Sequence, residues 1–261
     1  GATMLWLAVT EFFSLTGRAG ITGYPGLATG FSLLLLAAAA WTGRIEEAAP
    51  VFFGMLESLT LLVFMGAVLF RCFQDEPGKR ALTDFAVTVA GLLYVGWALN
   101  HIAKLYYLSG DGMGGRWLVF FFVAVTKSAD IGAFAAGSAS ARRTAGNHKL
   151  SPRLSPKKSW EGLAGGSATA VAVALLIATV AGAQLQLFGV QVITPLSAAL
   201  MAVALTLLGL VGDLGASFVK RAAGAKDSGR IPGLGGAFDI VDSLILTAPA
   251  FYCYVHLVLV A

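Results

Sequence analysis

Charge is what this sequence has least of. Only 12% of its 261 residues are Asp, Glu, Lys or Arg, against 57% hydrophobic, and the mean hydropathy is +0.79. So little charge cannot clothe a water-facing globule; the composition is that of an integral membrane protein, with the bilayer as main solvent. Cysteine is almost absent as well. Cys72 and Cys253 sit in or beside apolar runs, without CxxC or His spacing, which excludes a disulfide framework or a zinc site and leaves two small buried hydrophobes. Of three histidines, His101 and His256 fall in apolar runs and His148 in a loop, so no Ser/His/Asp or Cys/His nucleophile is on offer. A net charge of +4 is too small to argue for a nucleic-acid partner, and its placement speaks instead to orientation in a membrane.

What the sequence has in quantity is apolar length. Runs at 27–41, 51–70, 85–108, 117–137, 159–183, 195–218 and 239–260 each approach the span of about 20 residues that crosses a bilayer, and 2–13 is a partial eighth. Strands with open edges cannot survive in lipid, so all are expected as helices. The predicted fold is an all-α, polytopic integral membrane bundle of about seven to nine spans with a polar site at its cytoplasmic edge. Residues 1–137 supply the N-terminal helices and 138–261 the C-terminal helices that carry the chemistry, within one continuous fold. Gly17, Gly20, Gly23 and Gly26, with Pro25, read as a loop or a broken helix entry.

Charge placement orients the bundle. Arg142, Arg143, Lys149, Arg153, Lys157 and Lys158 crowd one loop, and Lys220, Arg221, Lys226 and Arg230 another. Two spans separate these loops and two more separate them from Arg71, Lys79 and Arg80, so all three share a face, the cytoplasmic one. The turns near Arg44, Glu46 and Glu47, near Asp111 and near Gln184 are poor in base by comparison.

The polar residues that remain are concentrated. Asp213, Ser217, Lys220 and Arg221 lie at i, i+4, i+7 and i+8, one face of a helix leaving the membrane. Lys226 and Asp227 follow, then Pro232, Gly233, Gly235 and Gly236, where missing side chains let backbone turn tightly and approach a phosphate. Asp239 and Asp242 are three apart at the start of the next apolar run, so their carboxylates can converge. Carboxylates suit a hard cation such as Mg²⁺ and lysine or arginine suits phosphate oxygens, a combination fitted to phosphoryl or nucleotidyl transfer. Upstream, Ser155, Lys158, Ser159, Trp160 and Glu161 pack hydroxyl, ammonium, aromatic and carboxylate groups into an expected helix start that can hold phosphate or nucleotide. Its bland alternative is a positive anchor on the membrane surface. Lys127 and Asp130, i and i+3 in an apolar run, are either a functional intramembrane pair or a mutually neutralising one. Gly162 and Gly166 have GxxxG spacing, which serves close helix packing, within the chain by preference or between copies.

These residues resemble the integral-membrane phosphatidate cytidylyltransferases, or CDP-diacylglycerol synthases, over about the second half of the chain. The carrying pattern is Ser217, Lys220, Arg221, Lys226, Asp227, Pro232, Gly233, Gly235, Gly236, Asp239 and Asp242, with GDL before it and KSADIGAF and HKLSPRLSPKKSWEGLAGG upstream in the family's order. Two positions depart: Leu234 replaces a common His between the paired glycines, and the stretch before the second aspartate, with Val241, lacks a common Arg. The resemblance implies a nucleotidyltransferase of phospholipid biosynthesis in the cell inner membrane, its active site on the cytoplasmic side. Its partners would be CTP, phosphatidic acid and membrane lipid, with a homodimer allowed and no nucleic acid. Its cofactor would be Mg²⁺, as one ion or two. It implies that Asp227, Asp239 and Asp242 bind metal, that Lys220, Arg221 and Lys226 neutralise phosphate, and that Ser155, Lys158, Ser159, Ser217, Asp130, Gly235 and Gly236 hold substrate, with Asp213 a further metal candidate. The alternatives are another CTP-dependent lipid-phosphate enzyme or lipid kinase, a catalytically degenerate relative, and a transporter using its intramembrane charges.

Overall fold

The computed structural model describes residues 1–43, 49–108, 113–142, 146–229 and 235–260. Arg44, Glu46, Glu47, Asp111, Arg143, Arg230, Pro232, Gly233 and Leu234, which carried parts of the sequence reading, lie outside the described residues. In chain order the helices are α1 (Ala2–Arg18), α2 (Pro25–Thr42), α3 (Ala49–Cys72), α4 (Lys79–Ala90), α5 (Ala98–Tyr107), α6 (Met113–Ala141), α7 (Trp160–Val180), α8 (Pro195–Ala222) and α9 (Ala237–Val260). A π-helical stretch, Gly91–Trp97, joins α4 to α5, so that Lys79–Tyr107 is one rod.

Among the described residues seven segments are long and apolar enough to cross a membrane, namely Pro25–Thr42, Gly54–Cys72, Lys79–Tyr107, Met113–Ala141, Trp160–Val180, Pro195–Ala222 and Ala237–Val260. They correspond to the seven runs expected from sequence, and the protein is a polytopic helical membrane protein. The partial eighth is α1, extended through Gly17 to Arg18.

The expected glycine-rich break is a tight turn between α1 and α2. Gly20 and Gly23 take positive φ (82° and 61°), a region that costs little only without a Cβ. Pro25 opens α2, where its missing N–H is no loss. The Gly23 N–H donates to Asp84 (2.8 Å) and the Tyr24 N–H to the Thr88 hydroxyl (2.8 Å), which ties the turn to α4.

Among the described residues two short hairpins depart from the all-helix expectation. β1 (Lys149–Ser151) pairs with β2 (Ser155–Ser159), and β3 (Gln186–Leu187) with β4 (Val190–Gln191), each antiparallel. The stretch from Ser155 to Glu161, expected as a helix start, is therefore a strand that hands over to α7 at Trp160. Ser159 is the N-cap there, its hydroxyl accepting from the Gly162 N–H (3.1 Å); this is the usual service of a serine at that position.

The packing is governed by small residues where helices touch most closely. A Cβ on Gly166 would lie 2.7 Å from the Ala129 carbonyl oxygen, one on Gly162 2.9 Å from that of Ala133, and one on Gly132 2.3 Å from the Thr169 hydroxyl. The GxxxG pair thus packs α7 onto α6 of the same chain, as expected for small residues that let backbones meet. A continuous apolar core runs through both halves, with Phe121 and Phe122 stacked on Phe251. Lys104, buried in the N-terminal half, is paired there with Glu57 (2.6 Å).

Candidate active site

One cleft of about 390 Å³ gathers residues from α6, β2, α7, α8 and α9. Its polar wall carries Asp130, Asp213, Asp239 and Asp242 with Lys127, Lys157 and Lys158, and its apolar wall Phe134, Leu163 and Leu210. Charged groups in such apolar helices are costly unless paired, so their pairing is the first thing the geometry must explain.

Three aspartates have a lysine. Lys127 on α6 meets Asp130 one turn on at 3.1 Å, and both reach Ser243 of α9, whose hydroxyl lies 2.8 Å from the ammonium and 2.9 Å from the carboxylate. Lys158 at the end of β2 meets Asp213 of α8 at 2.6 Å. Lys220, near the end of α8, meets Asp239 at the start of α9 at 2.5 Å, both side chains 11% exposed. Among the described residues Asp242 alone of the four has no lysine in contact. Its Oδ1 accepts from the Ser243 N–H (2.7 Å), and its other oxygen is left to the cleft that it lines.

Asp239 is held differently. Besides Lys220, its Oδ2 accepts from the backbone N–H of Ser228 (2.7 Å) and of Gly236 (3.0 Å), and faces the Ser228 hydroxyl (2.9 Å). Gly235 beside it has φ 81°, and a Cβ there would lie 2.4 Å from the same carboxylate oxygen. Of the glycines read from sequence as room for a phosphate, Gly235 is in this geometry room for the Asp239 side chain.

Other expected residues are placed apart. Lys226 and Asp227 are exposed and do not line the cleft, so the trio Asp227, Asp239 and Asp242 is not assembled around one point. Arg221 is exposed and points its guanidinium at the carbonyls of Leu154 (3.4 Å) and Ala225 (3.3 Å), tying the β1–β2 loop to the end of α8. Ser217 is buried outside the cleft. Ser155 lines it, and Ser159 lines it while capping α7. Glu161 is committed to His148, 2.6 Å from its ring nitrogen and accepting from its N–H at 3.1 Å.

Among the described residues no three His, Cys, Asp or Glu side chains form a ready metal cage. Mg²⁺ does not need one, since it commonly takes one or two carboxylates and completes its shell with water and substrate phosphates. Asp242, with an oxygen free of lysine, and Asp213 on the same wall are the donors that fit such an ion.

The sequence reading missed Glu11 altogether. From α1 it accepts from the first N–H groups of α9 and reaches Ser228. Its signal was available: a lone carboxylate in an otherwise apolar run.

The chain is similar to known proteins over most of its length. A family model described as the cytidylyltransferase family matches residues 2–258. A protein of Brucella suis biovar 1 named phosphatidate cytidylyltransferase is 41% identical over 166 residues, 63% of this chain and 55% of that one. Proteins of the same name from Chlamydia pneumoniae and Synechocystis sp. are 30% and 28% identical. Those matches cover 85% and 99% of this chain and 70% and 87% of theirs. The chain spans about half the length of the curated Brucella relatives it matches.

Proposed function

The chain belongs to the cytidylyltransferase family, and from that membership we propose that it transfers the cytidylyl group of CTP to phosphatidic acid, giving CDP-diacylglycerol and pyrophosphate. The observation that carries the reading is the unpaired Asp242 in a cleft otherwise ringed by lysine–aspartate pairs. Such a cleft can take up a cation at Asp242 without first breaking an ion pair there.

In this reading a phosphate oxygen of the lipid attacks the α-phosphorus of CTP, the bond from that phosphorus to the β-bridging oxygen breaks, and pyrophosphate leaves. Lipid phosphate brings its own anionic oxygen, so no nucleophilic side chain is needed. Lys127, Lys157 and Lys158, all on the wall, draw phosphate oxygens in and offset their charge. Asp242 and Asp213 would hold Mg²⁺, which when bound neutralises charge gathering on the leaving pyrophosphate. Asp239 keeps Lys220, Ser228 and Gly236 together and so fixes the start of α9, from which Asp242 projects. Phe134, Leu163 and Leu210 offer the apolar wall along which acyl chains can leave toward lipid.

The basic residues around this end of the bundle, among them Lys149, Arg153, Lys157, Arg221 and Lys226, favour a cytoplasmic cleft in the inner membrane, where CTP arrives from water. The test supplies purified protein in lipid with phosphatidic acid, Mg²⁺ and labelled CTP and scores CDP-diacylglycerol, with Asp242→Asn as the control. Product from the wild type that vanishes in the variant supports the reaction. A folded, lipid-supplied wild type that makes none sinks it, and a phosphorylated lipid in its place would mean a kinase.

A further inference from the structure

Glu11 sits in α1, separated by 217 to 227 residues from the groups it touches. Its Oε1 accepts from the Ala237 N–H (3.0 Å) and its Oε2 from the Phe238 N–H (2.9 Å), while Oε2 also stands 2.7 Å from the Ser228 hydroxyl. Ala237 and Phe238 are the first two residues of α9. Their N–H groups are among those a helix start leaves without an intrahelical partner, and the helix dipole favours a carboxylate at that end. The chain closes around this carboxylate only because it carries glycine. A Cβ on Gly236 would lie 2.3 Å from Glu11 Oε2 and 2.3 Å from the Ser228 hydroxyl, and one on Gly229 2.8 Å from Glu11 Oε1.

The Ser228 hydroxyl stands between two carboxylates, 2.7 Å from Glu11 and 2.9 Å from Asp239. It has one proton, so it donates to one of them at a time. Glu11, Ser228 and Asp239 thereby form a single chain of contacts from α1 to the residue one helical turn before Asp242. Packing gives no reason for an acidic side chain in the apolar face of α1; the three donors do.

We propose that Glu11 is a positioning residue for the transfer proposed above, holding the start of α9 and the Ser228 loop so that Asp242 faces the cleft. Its catalytic readout rests on that reading; its structural readout does not. The experiment uses the full chain in lipid nanodiscs as wild type, Glu11→Gln, Ser228→Ala and the double variant. Hydrogen exchange of the fragment that begins α9 and CTP turnover are measured on the same samples.

Glu11→Gln replaces one oxygen by an amide nitrogen that has no lone pair for the facing donor, so one of the Ala237 and Phe238 N–H groups loses its acceptor and exchange at the start of α9 accelerates. Turnover number falls about 10- to 100-fold, the usual cost of losing such a support. The KM for CTP shifts by less than about twofold, because no group that binds the nucleotide has gone. Ser228→Ala lowers turnover about fivefold, the worth of one hydrogen bond. The double variant is no worse than Glu11→Gln, since both act through one chain of contacts. Unchanged exchange at the start of α9, wild-type turnover in Glu11→Gln, or fully additive losses overturn the proposal. Should Glu11→Gln not fold, Ser228→Ala with wild-type turnover overturns it. Wild-type protein that makes no CDP-diacylglycerol removes the reaction, and the exchange result by itself then decides whether Glu11 holds the loop.

Discussion

Lys220 and Asp239 meet at 2.5 Å with only 11% of either side chain exposed, which joins the end of α8 to the start of α9 across the loop that carries the family's signature. The pair is part of how the site is held together. Removing one partner strands a buried charge; Lys220→Met is expected to cost about 3–5 kcal/mol of stability. Lys220→Met combined with Asp239→Asn should recover part of that loss, because the amide is neutral and keeps an oxygen for the Ser228 and Gly236 N–H groups. Thermal unfolding in detergent checks both, and a single variant as stable as the wild type would show the pair to be idle.

Asp242 behaves oppositely. Asp242→Asn removes a carboxylate that has no lysine in contact, so the fold should be at least as stable as the wild type, while turnover falls by about 10² to 10³. Asp227→Asn, whose side chain is exposed and outside the cleft, should lower turnover less than Asp242→Asn does. Equal losses would mean that Asp227 reaches the substrates after all.

The Lys158–Asp213 pair, 2.6 Å long and more open to water than the Lys220 pair, should report on cation and nucleotide binding. Asp213→Asn is expected to raise the Mg²⁺ concentration for half-maximal turnover about tenfold. Lys158→Ala should raise the KM for CTP more than it lowers turnover number. Chelating Mg²⁺ should silence the wild type, and adding it back should restore it. Turnover that survives chelation would remove the cation from the account.

Close packing of α7 on α6 gives a prediction independent of chemistry. Gly166→Val and Gly132→Val push side chains into space where a Cβ alone would already lie within 2.7 Å and 2.3 Å of a neighbour. Each should cost about 1–3 kcal/mol, the range for overpacking. Gly30→Val, at a glycine with open space around it, is the control whose melting temperature should barely move.

The number and course of the spans were legible in sequence because hydropathy is local: a run of apolar residues is satisfied by lipid wherever it sits. The signature block was legible for the same kind of reason, since Asp239 and Asp242 share a helix whose period fixes their common face. Hydropathy missed the β1–β2 hairpin, whose polar residues have no apolar alternation to declare a strand. The period of the helix likewise could not say that Asp239 is consumed by Lys220, Ser228 and Gly236 while Asp242 is left open.

By itself, then, the sequence determined a polytopic helical membrane protein, the small-residue seam of α7 and the residues that crowd one polar edge. Tertiary structure alone decided which charges neutralise each other, that Asp227 and Lys226 stand outside the cleft, and that Glu11 of the first helix holds the start of the last. Those outcomes depend on which helix ends meet in space, and electrostatic pairing over a few ångströms carries no period that can be read along a chain.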